Sequence, residues 1–131
     1  MDHTIVHFEI PANDPERAAT FYRELFGWDI KKWTSGAGPD YWMVRTVPTD
    51  ASGMPARPGV NGGLLRRQRA EHYPVHYINV ESVDEYAQKA KRLGAEQVMS
   101  KTAVKGMGWF AMLRDTEDNV FAIWQTDEKA A

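Results

Sequence analysis

Residues 4–28 read TIVHFEIPANDPERAATFYRELFGW, and this stretch decides the fold. Val6, Phe8 and Ile10 alternate with His7 and Glu9, the period-two pattern of a strand with one buried face. Asn13-Asp14-Pro15 comes next. A carboxylate at position 14 can accept from the free N–H groups that open a helix, and proline suits the first helical position. Ala18, Phe21, Tyr22 and Leu25 then recur at helical spacing, and Gly27 stands where a left-handed residue is wanted to end the turn. The spacing predicts a strand followed by an amphipathic helix over 15–26, with those four residues on its apolar stripe.

Working outward, residues 28–33, 41–47 and 62–67 read as strands, separated by SGAGPD and by PTDASGMPARPGVN. The pattern then begins again. Val75 to Val80 is a short strand, and Ser82-Val83-Asp84-Glu85 has the spacing of a capping box. Val83, Tyr86, Ala87, Ala90 and Leu93 form a second apolar stripe that Gly94 ends. Strands at 96–99, 107–113 and 119–125 complete the repeat. The expected fold is therefore α+β, a single domain over 1–131 built of two βαβββ modules, half 1 about 1–68 and half 2 about 73–127. Two such modules imply a pseudo-twofold arrangement, with a curved mixed sheet enclosing a cleft and the helices outside. Strand parity aims Val6, Phe8, Ile10, His76, Ile78 and Val80 at the helices. His7, Glu9, Val75, Tyr77 and Asn79 then face the cleft.

Composition narrows the functions. With 131 residues and 43% hydrophobic content the chain can bury a real core. A net charge of -2, with both signs interspersed, offers no basic field for a nucleic-acid backbone. The absence of cysteine excludes disulfides, zinc-thiolate sites and thiol nucleophiles, and fits a cytoplasmic protein. MDHTIVHFEI has no basic n-region or long apolar core, so no signal peptide is expected, and no apolar run approaches the ~20 residues that cross a bilayer.

His7 and Asp14, followed by FYRELFGW over 21–28, resemble the opening of the vicinal oxygen chelate superfamily, which contains glyoxalase I, bleomycin-resistance proteins and extradiol dioxygenases. Val80 to Asp84 with Leu93-Gly94-Ala95 is similar to that family's second-half opening. Gly106 to Ala111 with Asp115 to Phe121 resembles its closing hairpin. The resemblance covers nearly the whole chain in order. It implies a divalent metal held by four inward side chains, two from each half. Of those positions only His7 carries a ligand type. The second falls on Val75, with His76 one residue along and so turned to the other face. The last-strand position falls on Ala122, and Gly62-Gly63-Leu64-Leu65 supplies none. A metal is accordingly disfavoured and no cofactor is expected. The resemblance also implies a small-molecule ligand and a homodimer.

His7 and Glu9 share a strand face two residues apart, which makes them the candidate catalytic pair. A carboxylate beside the imidazole would raise the His7 pKa. The competing reading is a polar pair in a wet cleft, or an ion pair with Arg45. Tyr77, Asn79, Val75 and Ala122 line the expected ligand site. Trp124 shares the parity of Ala122 and should stand with them. Trp42 and Trp109 are further candidates for an aromatic wall, but nothing anchors their parity and core packing competes. Asn61-Gly62-Gly63 reads as a turn entering a strand. His72 and His76 read as surface or strand-edge residues, Arg66, Arg67 and Arg69 as a solvated basic turn, and 48–59 as a lid candidate. Four functions follow: a metal-free binder of a small organic molecule, a metal-dependent lyase or isomerase like glyoxalase I, a metal-free acid/base enzyme using His7 and Glu9, or a non-catalytic interaction module.

Overall fold

A computed structural model describes residues 1–33 and 39–131; the first predicted separator lies largely outside them. The elements run β1 (Ile5–Ala12), α1 (Pro15–Phe26), β2 (Asp29–Trp33), β3 (Tyr41–Arg45) and β4 (Gly62–Arg66). They repeat as β5 (Val75–Asn79), α2 (Val83–Arg92), β6 (Glu96–Val104), β7 (Gly108–Arg114) and β8 (Val120–Thr126). This is the βαβββ order twice over. The chain divides into two compact units, one of residues 7–74 and one of residues 1–6 with 75–131.

In the 7–74 unit the strands lie in the order β2-β3-β4-β1, with β1 parallel to β4 and the others antiparallel. Asp14 caps α1 by accepting from the Arg17 N–H, Pro15 opens the helix, and Gly27 closes it at φ 70°. The helix covers one face of this sheet. Ala12, Ala19, Ile30, Trp42, Val44 and Leu64 are buried there, with Phe8, Ile10, Tyr22 and Trp28 packed around them. The expected outward parity of Phe8 and Ile10 is observed. The helical stripe is only partly as expected. Ala18 and Tyr22 join the core, but Phe21 and Leu25 are 56% and 58% exposed. They lie round the helix from the buried Ala19, away from the sheet of this unit.

In the second unit the order is β5-β8-β7-β6, with β5 parallel to β8. Ser82 caps α2 through the Glu85 N–H. Val80, Val83, Ala87, Ala111, Leu113 and Ile123 are buried between helix and sheet. Residues 1–6 belong with this unit: Asn79 N–H donates to the Thr4 carbonyl, and His3 bonds the Asn79 carbonyl and the Tyr86 hydroxyl. β6 runs five residues beyond its expected end and keeps its pairing with β7 through register shifts between Gln97 and Thr102.

The 48–59 segment is folded on itself. Asp50 accepts from Ser52 N–H, Ser52 Oγ and Met54 N–H, and these bonds hold its carboxyl below the usual range. Asn61 ties the base of the loop to Thr46 and Val47. No helix among the described residues is long and apolar enough to cross a membrane.

Candidate functional site

The face of the first sheet turned away from α1 can be read from the register. Glu9 pairs with Gly63, Gly63 with Met43, and Met43 with Lys31; Pro11, Leu65, Tyr41 and Trp33 form the next row. Residues paired across strands share a face, so His7, Glu9, Tyr41, Met43 and Gly63 stand on the same side. There Tyr41 links the two candidates found in the sequence. Its hydroxyl donates to Glu9 Oε2 at 3.0 Å and meets His7 Nε2 at 2.9 Å.

That connection needs a gap in the sheet. Tyr41 is on β3 and its two partners are on β1, with β4 between them. Gly63 supplies the gap. A Cβ there would lie 1.7 Å from Tyr41 Oη and 2.0 Å from Cζ, so the phenol crosses β4 because residue 63 has no side chain. Gly62 is used in the same way on the other face, where a Cβ would fall 2.3 Å from the Phe8 carbonyl oxygen. The two glycines are therefore strand residues that admit close neighbours. The strand expected from residue 62 is found, but its two glycines serve close approach and not the unusual backbone angles of a turn.

The hydroxyl has one proton and gives it to Glu9, so its oxygen must accept from His7. With Glu9 ionised, this arrangement uses His7 in its Nε2–H tautomer. Burial pushes the His7 pKa down from 6.5 to about 4. The expected rise is thus corrected: Tyr41 stands between imidazole and carboxylate in these bonds, and desolvation of the cation decides the direction. At neutral pH the group is a neutral imidazole hydrogen-bonded to a phenol. Arg45 pairs with Asp29 at 3.9 Å. A small cavity of about 160 Å³ at the β2 edge of the sheet is lined by Asp29, Lys31, Lys32, Trp33, Met43 and Arg45.

In the second unit Val75, Tyr77 and Ala122 form a buried cluster on the face away from α2, with Phe110, Met112, Val120 and Trp124 against it. Tyr77 pairs with Ala122 and Asn79 with Trp124, which gives the shared parity expected of these residues. The other two tryptophans are placed elsewhere. Trp42 is buried on the α1 side, its indole N–H donating to Glu16 Oε1 at 2.7 Å. Trp109 packs on the α2 side and donates to Asp127. Neither shares a face with the other candidates of its own unit, because each sits one residue out of phase with them along its strand.

His76 is exposed, but His72 is buried, which corrects its surface reading. Its Nδ1 accepts from the Gln68 N–H, and burial with the nearby Arg69 and Arg67 lowers its pKa. Arg67 is a structural tie rather than a solvated charge, donating to the Pro11 and His72 carbonyls and to Asn13 Oδ1. Tyr41 is the member of this candidate site that sequence reasoning missed. An aromatic residue on one strand diagonal to a glycine on the next is the signal that points to it.

The metal implied by the family does not fit these residues. Val75 and Ala122 hold two of its four positions with hydrocarbon, Gly63 lies beneath a phenol, and His7 is bonded to Tyr41. The described residues contain no group of three or more His, Cys, Asp or Glu side chains placed to hold an ion.

Residues 4–123 match the Glyoxalase/Bleomycin resistance protein/Dioxygenase superfamily, and the chain belongs to it. A glyoxylase-like domain-containing protein of Didymella fabae is 31% identical over 121 residues, covering 88% of each chain. A putative glyoxylase of Mycobacterium bovis is 25% identical over 122 residues, 92% of this chain but 43% of that one, so the chain spans less than half of that relative. Among solved structures, a methylmalonyl-CoA epimerase of Streptomyces coelicolor superposes with a TM-score of 0.67 at 15% identity, covering 98% of both chains. That likeness is one of fold.

Proposed function

We propose that this chain binds a small organic molecule against the sheet face carrying His7, Tyr41 and Glu9, without the metal of its family. The observation that supports this most is the chain of donors from His7 Nε2–H through the Tyr41 hydroxyl to the Glu9 carboxylate. A neutral, largely buried imidazole hydrogen-bonded to a phenol, with a carboxylate beside it, suits a small ligand that carries a polar group. A pKa of about 4 makes His7 a poor base at neutral pH. Recognition therefore agrees with the site better than proton abstraction by His7. The connected Tyr41–Glu9 pair favours one second reading, a metal-free lyase or isomerase in which Glu9 takes the proton. A homodimeric, cytoplasmic protein is part of the proposal, supported by the cysteine-free sequence and by the dimers common in the family.

The test is a titration of 15N-labelled protein with methylmalonyl-CoA, S-lactoylglutathione and bleomycin, following the His7 ring resonances. The reading expects at least one to shift His7 saturably, and Tyr41→Phe to weaken that binding about tenfold. Binding that leaves His7 unmoved, or turnover abolished by chelator, would sink it.

A further inference from the structure

The exposed side of α1 carries a second, unexplained pattern. Phe21 and Leu25 are one helical turn apart and more than half exposed, and Phe26 beyond them is 58% exposed. These residues continue an aromatic run that starts in the core. Phe8 lies against Trp28, Trp28 stacks on Tyr22, and Tyr22 meets Phe21 edge-on and stacks with Phe26. Apolar surface gathered in this way on one side of a helix marks a contact rather than scattered exposure.

The charges of α1 say what the contact is. The helix carries four: Glu16, Arg17, Arg23 and Glu24. Glu16 accepts from Trp42 and lies 4.0 Å from Arg23, and Arg23 also donates to the Ile30 carbonyl. Those two are used inside the unit. Arg17 and Glu24 are exposed, and neither forms an ion pair or side-chain hydrogen bond with another described residue. They are seven apart, so they share one helical stripe about 10 Å long, with Phe21 near its middle. Two copies of such a stripe, laid antiparallel about a twofold axis at Phe21, bring each Arg17 against Glu24 of the partner subunit. The pattern is complementary to itself in the antiparallel sense, whereas an antiparallel α2 would set Lys89, Lys91 and Arg92 against Arg17 and Asp84 and Glu85 against Glu24.

We propose that the Arg17–Phe21–Glu24–Leu25 face of α1 is a homodimer interface, formed by antiparallel pairing of two α1 helices. This names the surface behind the dimer proposed above. A 12-residue helix is about 18 Å long and offers a few hundred Å² per partner, below the roughly 800 Å² of a standard interface. A contact of that size belongs with weak, transient interfaces, so the association should depend on concentration.

Sedimentation equilibrium on the full chain from about 1 to 500 μM tests this, with circular dichroism confirming that each variant is folded. Leu25→Asp should weaken dimerisation at least tenfold, because it buries an unpaired carboxylate at the contact. Arg17→Glu and Glu24→Arg alone should each weaken it about fivefold to tenfold by setting like charges together. The double variant restores both pairs and should return within about threefold of wild type. A chain monomeric throughout the range overturns the proposal, as does a dimer indifferent to Leu25→Asp. If the double variant stays as weak as the singles, the antiparallel pairing is wrong. None of these variants touches His7, Tyr41 or Glu9, so ligand binding there stands or falls separately.

Discussion

Gly63→Ala isolates the contact on which the site depends. The added Cβ would lie 1.7 Å from Tyr41 Oη, 2.0 Å from Cζ and 2.4 Å from Cε2, so the ring must leave. Overpacking of this kind costs about 1–3 kcal/mol, and the two hydrogen bonds to His7 and Glu9 are lost at roughly 1 kcal/mol each. Against this, alanine in a conformation it adopts freely gains about 0.4–1 kcal/mol by restricting the unfolded chain. The net loss is about 2–5 kcal/mol. At roughly 2.1 cal/mol/K per residue, a chain of 131 residues loses about 3–4 °C in Tm per kcal/mol. The expected drop is therefore about 7–18 °C by thermal denaturation. The decisive measurement is the same substitution in a Tyr41→Ala background, where the three atoms nearest the added Cβ are gone. There Gly63→Ala should be neutral or stabilising by up to about 1 kcal/mol. Equal losses in both backgrounds would refute the claim that Gly63 exists to admit Tyr41.

Two further predictions follow from the site and its surroundings. The folded-state pKa of His7 is about 4 against 6.5 unfolded, so between these values the unfolded chain takes up a proton that the native chain refuses. Stability from this group is whole above pH 6.5 and falls by an amount of order 3 kcal/mol as pH drops to about 4. Urea midpoints over that range should fall less steeply for His7→Gln than for wild type, and parallel slopes would count against a buried neutral His7. Trp42→Phe should destabilise the fold by about 2 kcal/mol through lost packing and the lost bond to Glu16, while leaving ligand affinity at His7 within twofold. Weaker binding with unchanged stability would return Trp42 to the ligand site.

Most of the architecture was legible because it rests on local rules. Asp14, Pro15 and Gly27 set the limits of α1 by backbone chemistry alone, and the alternation in β1 assigned Phe8 and Ile10 to one face and His7 and Glu9 to the other. The helix stripe was less legible, because 3.6-residue periodicity shows where apolar residues lie but not what covers them. Phe21 satisfies the period and still faces away from the sheet. The site was half legible. His7 and Glu9 could be found from parity in a single strand, whereas Tyr41 depends on a diagonal contact across β4 that no single strand reveals. Trp42 and Trp109 alternate with the residues of the candidate faces, and a free parity choice in short strands could not assign them. The direction of the His7 pKa needed burial, a property of the folded chain. Sequence spacing showed only the nearby carboxylate.

In the proposed reading, the hydrogen-bonded His7–Tyr41–Glu9 chain takes the place of the family's metal centre. That reading is tested most directly by elemental analysis of the purified chain, after chelator treatment and re-equilibration with Mg²⁺, Mn²⁺, Co²⁺, Ni²⁺ and Zn²⁺ in turn. The account predicts much less than one equivalent of any ion, and the same content in His7→Gln. One equivalent per chain, lost when His7 is replaced, would contradict it.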